Sequence, residues 1–437
     1  MNLIDTTRYA ARRARLISQL GDGFAIVPTA STKVRNGDAD YAYRFDSDFH
    51  YLCGFPEPNA ILVMVGGDTP RSILFCQAKN VEMEIWEGFI YGPDAAREVF
   101  GVDEARLISD FDRDLPALLA GRPQVFFPVG ADAGFDQRIY KAVATARQQA
   151  RSDALASVFV DVRTLTAAMR LIKDEHEIAI MREAGRISAD AHIRAMRNTR
   201  PGMMEYEVEA ELLYHFYRHG SRAPAYNSIV AGGKNATCLH YGANDQRLND
   251  GELLLIDAGC ELQGYAADIT RTFPVNGKFT GPQRDVYQLV LTAMQASFTQ
   301  IKPGARRIAY HDAAVRVLTQ GLVDLGVLKG EVDGLIEQKA FRQFYMHGTG
   351  HWLGLDVHDA GEYTEQGESV ILRPGMALTV EPGLYFRPAD NVPAHFVDIG
   401  IRIEDDLVVT DGGYINLTEG VPKAVDEIEA LMALGPL

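Results

Sequence analysis

The sequence predicts an α/β domain followed by an α+β domain. Three observations carry this. The chain has 437 residues, too many for one ordinary hydrophobic core, so two domains are expected. Through the first third, short β-like runs alternate with helical ones. From about residue 163 the texture changes to long helical patterns between strand-rich segments. The boundary is expected within 165–175, giving domains 1–170 and 171–437.

The first domain offers FAIV (24–27), AILVMV (60–65), SILFC (72–76), QVFFPV (124–129) and SVFVDV (157–162) as strands. Helical patterns fall around 6–20, 94–100, 111–119 and 137–150. That alternation argues for a mixed or mainly parallel sheet. The basic run ARRAR (11–15) has Asp5 before it and Ala and Leu at helical spacing, which favours an amphipathic first helix over a transit segment. In the second domain, 169–198 reads as one long helical pattern, with Asp174 placed to cap the stretch that follows. Pro201-Gly202 ends it. Further helices are expected near 204–219, 281–300, 306–325 and 331–341, with strands within 226–231, 251–274, 376–386 and 397–410.

Composition narrows the function classes. Hydrophobic content of 47% and charged content of 23% are those of a soluble globular protein. No apolar run reaches the length of a membrane span, and the N-terminus lacks a secretory signal. Cys53, Cys76, Cys238 and Cys260 lie far apart without CxxC spacing, so a reduced, cytoplasmic protein is expected. A formal charge of −16 argues against nucleic-acid or anionic-membrane partners. The GxSxG elbow of serine hydrolases is absent, and HGTGHWLG only approaches GxGxxG, with Leu353 in place of the third glycine. GKFT (277–280) lacks the ending and the upstream glycine of a phosphate loop.

The chemistry concentrates in LLLIDAGCELQGYAADITRTF (253–273). Four aliphatic residues of a buried strand lead into Asp257, and Asp268 lies on the return. If Gln263-Gly264 is a two-residue turn, Leu262 opposes Tyr265 and Asp257 opposes Thr270. Asp268 then shares a face with Asp257, diagonally across the pair, close enough for both carboxylates to reach one site. A turn one residue longer or shorter would separate them onto opposite faces. The bland alternative is two unrelated aspartates on an exposed strand.

Three further segments bear on that choice. FRQFYMHGTGHWLGLDVHD (341–359) gathers His347, His351 and His358 among glycines and apolar residues. In MALTVEPGLYF (376–386), Pro382 holds the preceding Glu381 extended. In IGIRIEDDLVVT (399–410), Ile399, Ile401 and Ile403 mark one face, with Gly400, Arg402 and Glu404 on the other. Each has its own bland reading: a core histidine, a strand-end glutamate, a surface Arg–Glu ladder. Taken together they favour a metal cradle of Asp257, Asp268, His351, Glu381 and Glu404. Four carboxylates and one imidazole without thiolate suit Mn²⁺, Co²⁺ or Fe²⁺ better than structural zinc. Two divalent ions would neutralise the four carboxylates. They could also bind one bridging water and lower its pKa, delivering hydroxide to a polarised carbonyl.

These segments, with DSDFHYLCGF (46–55), MEIWEG (83–88), YNSIV (226–230) and LHYG (239–242), resemble the pita-bread metallopeptidases, and nearly the whole chain resembles the aminopeptidase P family. The resemblance implies a pita-bread (creatinase/methionine-aminopeptidase-like) fold for the α+β domain. It also implies release of the N-terminal residue from peptides with proline in second position. In its terms Asp257 would chelate one Mn²⁺, Asp268 and Glu404 would bridge two, and His351 and Glu381 would hold the second. Co²⁺, Zn²⁺ or Fe²⁺ are the alternatives. Glu381 would also be the general base. His240 and His358 would contact the peptide and the tetrahedral intermediate, His347 the proline side, and Tyr226 the substrate. Arg402 would brace Asp257 or one of the bridging carboxylates. Trp86 would shape a neighbouring subunit's site, implying a homodimer or homotetramer built through the N-terminal domain. HGTGH departs from some relatives at Thr349-Gly350. Prolidase, confined to Xaa-Pro dipeptides, shares the five ligands and stays open as an alternative, and so does a catalytically silent pita-bread binding protein. Methionine aminopeptidase lacks the first domain, and a creatinase-like enzyme would have lost ligands.

Overall fold

The computed structural model describes residues 6–149 and 156–437. Asp5 and the last residue of the 137–150 helical run lie outside the described residues. The chain divides into two compact units, Met1–Met169 and Arg170–Leu437.

The first unit is built on strands β1 (Phe24–Pro28), β2 (Ile61–Val65), β3 (Arg71–Cys76), β4 (Glu104–Leu107), β5 (Gln124–Phe127) and β6 (Val158–Asp161). They form one sheet in the order β4-β3-β2-β1-β5-β6. Pairs β1–β2 and β2–β3 are antiparallel, whereas β1–β5, β3–β4 and β5–β6 are parallel, so the sheet is mixed. All five residues of β2 are buried, as its unbroken apolar run requires of a strand covered on both faces. Helices Phe111–Leu119 and Ala133–Gln149 cover one side through Phe111, Leu115 and Ile139, which pack with Phe24, Val63, Phe75 and Val125.

Two short helices stand where only motifs were legible. Ser47–Cys53 is opened by Asp46, whose carboxylate accepts from Phe49 N at 2.9 Å, and closed by Gly54 at φ 68°. Glu84–Glu87 carries Ile85 and Trp86, 80% and 81% exposed, beside exposed Val81 and Phe89.

In the second unit the expected helical run over 169–198 is broken. One helix ends at Arg170, and the next spans Glu175–Asn198. Asp174 starts the second with a capping box: its carboxylate accepts from Glu177 N, and Glu177 accepts from Asp174 N, both at 2.9 Å. Ile172 meanwhile bridges to Met376 as a strand would, which fixes the gap between the helices. The expected helix 331–341 is likewise split, into Val332–Glu337 and a 3₁₀ turn at Ala340–Gln343, with Lys339 at φ 55° between them.

The strands that build the site are β7 (Ile229–Gly232), β8 (Leu253–Asp257), β9 (Cys260–Leu262), β10 (Tyr265–Ala266), β11 (Thr270–Pro274), β12 (Ala377–Val380), β13 (Gly383–Tyr385), β14 (Gly400–Arg402) and β15 (Asp405–Thr410). Antiparallel pairings β7–β8–β11, β12–β15 and β13–β14 bring the strand ends together. Helices Glu175–Asn198 and Gly281–Phe298 pack against them around Ile187, Ile256, Val290, Leu378 and Ile403. No helix among the described residues is long and apolar enough to cross a membrane.

Candidate metal centre

The hairpin has the register counted from the sequence. Leu262 faces Tyr265, and Asp257 faces Thr270. Gln263 and Gly264 have φ of 50° and 88°, the two left-handed positions that a type I′ turn demands. Halfway along, the strands approach so closely that a Cβ on Gly259 would lie 1.7 Å from the Ala267 carbonyl oxygen. This pinch fixes the hairpin between the two aspartates. Asp268 is also held from behind, its amide donating to Asp406 Oδ2 at 2.9 Å.

The HGTGH segment reaches the same place by pairing beside β12. His351 N donates to Thr379 Oγ1 at 3.1 Å, Thr379 N to His351 O at 2.9 Å, and Glu381 N to Thr349 O at 2.9 Å. Glu381 therefore leaves the end of β12 beside His351. Arg402 and Glu404 are 4% and 1% exposed, which removes the surface-ladder alternative.

A cavity of about 800 Å³ has Tyr226, His240, Asp257, Asp268, His347, His351, His358, Glu381, Arg402 and Glu404 in its wall. It thus collects every site residue expected from the sequence except Trp86, which belongs to the first unit. A second hollow of about 860 Å³ in the same unit is lined by Lys234, Arg247 and Glu252 among others. Among the described residues, the donor cluster of metal-binding spacing lies in the first cavity.

That cluster is Asp268, His351 and Glu404, whose ligand atoms all lie within 4.8 Å of one another. Asp257 and Glu381 stand around it rather than in it. His351 Nε2 is 3.5 Å from Asp268 Oδ2 and 3.7 Å from Glu381 Oε1. Its other nitrogen, Nδ1, lies 2.9 Å from the Trp352 carbonyl. A carbonyl only accepts, so Nδ1 carries a proton and Nε2 is the nitrogen turned toward the carboxylates, the orientation of a metal-ligating histidine.

Charge is crowded here. Burial, with Asp268 and Glu381 nearby, pushes the Glu404 carboxyl well above its ordinary range. Burial likewise lifts Glu381 to about 7, against the pull of His351 and Arg402. Burial alone would lower the His351 imidazole, but Asp268 and Glu381 raise it to about 9. His347 is driven down to about 3 by burial and by Arg402, and stays neutral. The Tyr226 hydroxyl has one proton and two carboxylates to face, Asp257 and Asp268. Carboxylates crowded this closely, with the Nε2 side of an imidazole turned into them, fit divalent cations that would displace the bound protons.

Arg402 organises the rim. Its Nη2 donates to Asp257 Oδ2 at 2.6 Å, Nη1 to Tyr385 OH at 3.0 Å and Nε to Thr270 Oγ1 at 3.1 Å. Thr270 passes its own proton to Glu404 Oε2 at 2.6 Å. Since Tyr385 accepts from Arg402, its proton goes to His347 Nε2, 2.9 Å away. The His358 ring lies against His351, tilted by 59° with ring centroids 4.2 Å apart. Tyr385 and Asp406 were not singled out from the sequence, and Thr270 only as the register partner of Asp257. Tyr385 stood inside a quoted segment, LTVEPGLYF, but nothing local marked its hydroxyl as a link.

The pattern of metallopeptidase family M24 matches residues 179–411, and that of the aminopeptidase P N-terminal domain matches residues 9–126. The chain is 47% identical to the Xaa-Pro aminopeptidase of Escherichia coli (strain K12), over 99% of each chain. Among solved structures it is similar to aminopeptidase PepP of Pseudomonas aeruginosa, with 49% identity, TM-score 0.97 and 99% of each chain covered. It is also similar to zinc-substituted E. coli aminopeptidase P in complex with product, with 46% identity, TM-score 0.95 and 99% of each chain covered.

Proposed function

The chain belongs to metallopeptidase family M24, as a hydrolase of the aminopeptidase P type, and from that premise we propose that it releases the N-terminal residue from peptides with proline in second position. Its architecture is the family's: an aminopeptidase P N-terminal domain followed by a pita-bread catalytic domain. The observation that carries the proposal is the convergence of His351 Nε2 with buried Asp268 and Glu404 within 4.8 Å, in a cavity walled by His240, His347 and His358.

Asp257, Asp268, His351, Glu381 and Glu404 would hold two divalent ions, Mn²⁺ foremost, with Co²⁺, Zn²⁺ or Fe²⁺ as alternatives. When bound, these ions would lower the pKa of a water and polarise the scissile carbonyl. Glu381, at the end of β12 beside His351, would accept the proton from the attacking water and return it to the leaving nitrogen. His240 and His358 donate to the carbonyl oxygen as charge develops on it. His347, neutral and held by Tyr385, forms the wall for the proline ring, and Tyr226 lines the same cavity. An Xaa-Pro amide has no N–H, so a site that reads the flat ring by shape gains selectivity where hydrogen-bond alignment fails. Arg402 braces Asp257 throughout.

The same proposal includes a homodimer or homotetramer formed through the first unit, where Val81, Ile85, Trp86 and Phe89 are exposed together. Four unpaired cysteines support a reducing, cytoplasmic setting.

The test is hydrolysis of Xaa-Pro and Xaa-Pro-Xaa with Mn²⁺ and after chelation. Tripeptide cleavage lost on chelation and restored by Mn²⁺ is expected. Activity confined to the dipeptide would make the protein a prolidase. Metal bound without hydrolysis of either would leave a silent binder.

A further inference from the structure

Glu205 is a buried carboxylate outside the metal cluster, with 0% of its surface exposed. It is the first residue of helix Glu205–Arg218, yet its side chain serves other segments. Oε1 accepts from Gly232 N at 2.8 Å and Asn235 Nδ2 at 3.0 Å. Oε2 accepts from Tyr241 OH at 2.8 Å and Gln246 N at 2.9 Å. Its own amide closes the circuit by donating to Gln246 O at 2.9 Å. All four acceptor positions of the carboxylate are used, and every one of these donors is an uncharged amide or hydroxyl. Burying an unpaired charge costs several kcal/mol, so four donors are the least such a group needs.

The segments so tied are the ones that carry the cavity wall. Gly232 ends β7, whose Ile229 pairs with Asp257. Tyr241 follows His240 directly, lines the catalytic cavity, and on its other side lines the 860 Å³ hollow. His240 itself is exposed in that wall. A helix-start carboxylate with a purely local role would cap its own helix; this one instead grips residues 27 to 41 positions away.

We infer that Glu205 is a positioning residue: it anchors the Asn235–Gln246 segment and thereby sets where His240 stands against the substrate. The inference rests on the proposed role of His240 in peptide hydrolysis. Glu205→Gln is the informative change, because the amide keeps the volume but turns a donor toward donors, leaving buried N–H groups unmatched.

The test is a double-mutant cycle on the full metal-loaded chain, with Glu205→Gln, His240→Ala and both together, assayed on an Xaa-Pro-Xaa peptide with amide hydrogen exchange alongside. Glu205→Gln is expected to lower kcat/KM by about 100-fold, the scale of a misplaced contact. In the His240→Ala background the same change should cost no more than about twofold, the size of ordinary additivity error. Exchange protection should fall at Gly232, Gln246 and across 238–242 while distant strands keep theirs. If the full factor persists without His240, or protection at these amides is unchanged, the inference is overturned. Should Glu205→Gln not fold, Tyr241→Phe removes one donor and keeps the carboxylate, and the same cycle applies to it. An inactive wild type would instead sink the peptidase proposal, and the exchange data alone would then decide whether Glu205 anchors the segment.

Discussion

At Arg402 one guanidinium reaches Asp257, Tyr385 and Thr270 at once, and through the last two it orients His347 and Glu404. A planar fork can do this and an ammonium cannot. Arg402→Lys should therefore weaken Mn²⁺ binding by roughly 10–100-fold, as losing a partner behind a metal ligand does elsewhere. Calorimetric titration of the metal-free protein measures it, and an unchanged affinity would remove Arg402 from that role. The sequence marked Arg402 because strand alternation set it on the face of Glu404. It gave no sign of Tyr385 or Glu205, whose hydroxyl and carboxylate act on partners far along the chain. Asp406 was equally hidden: a run of acids in IEDDL looks solvated, yet Asp406 is 1% exposed and holds the Asp268 amide.

Among the elements, the hairpin was the most legible, because a two-residue Gln-Gly turn permits only one register between flanking apolar strands. The break before Glu175 was less so. Helical periodicity runs on through 169–198, and only the Asp174 capping box and the Ile172–Met376 bridge reveal the interruption. The pinch at Gly259 could not be read at all, since it depends on how closely the strands approach. Gly259→Ala must move the Ala267 carbonyl that now lies where the methyl would go. We expect a loss of about 3 kcal/mol or more in urea unfolding. Metal affinity should fall as well, because Asp257 and Asp268 sit on either side of the displaced peptide. A stable variant with normal metal binding would mean that the hairpin absorbs the methyl without consequence.

For the whole molecule, acid stability should carry the mark of His192. Burial lowers this imidazole from 6.5 to about 4, only partly offset by its bond to the Ala258 carbonyl at 2.9 Å. Above pH 6.5 the ring is neutral whether the chain is folded or not. As pH falls below that, the unfolded chain takes up a proton that the folded one refuses, and stability drops until the folded ring titrates near pH 4. The span corresponds to about 3 kcal/mol. In His192→Gln the stability difference from wild type should shrink by about that amount between pH 7 and pH 4, and a difference constant with pH would exclude the ring as its source. The two-domain plan was visible from length and texture, whereas a buried histidine of this kind looks like any helical residue. The chain's 2 tryptophans divide between the two units. Trp86 stands 81% exposed, while Trp352, next to His351, is fully buried, stacked on Tyr363 and bonded to the Glu362 carbonyl. Their fluorescence is therefore separable by colour and by quencher: red and iodide-sensitive from the first unit, blue and shielded from beside the catalytic centre. The protein carries one native optical reporter for each half, and the blue one is seated where occupancy of the site would be felt.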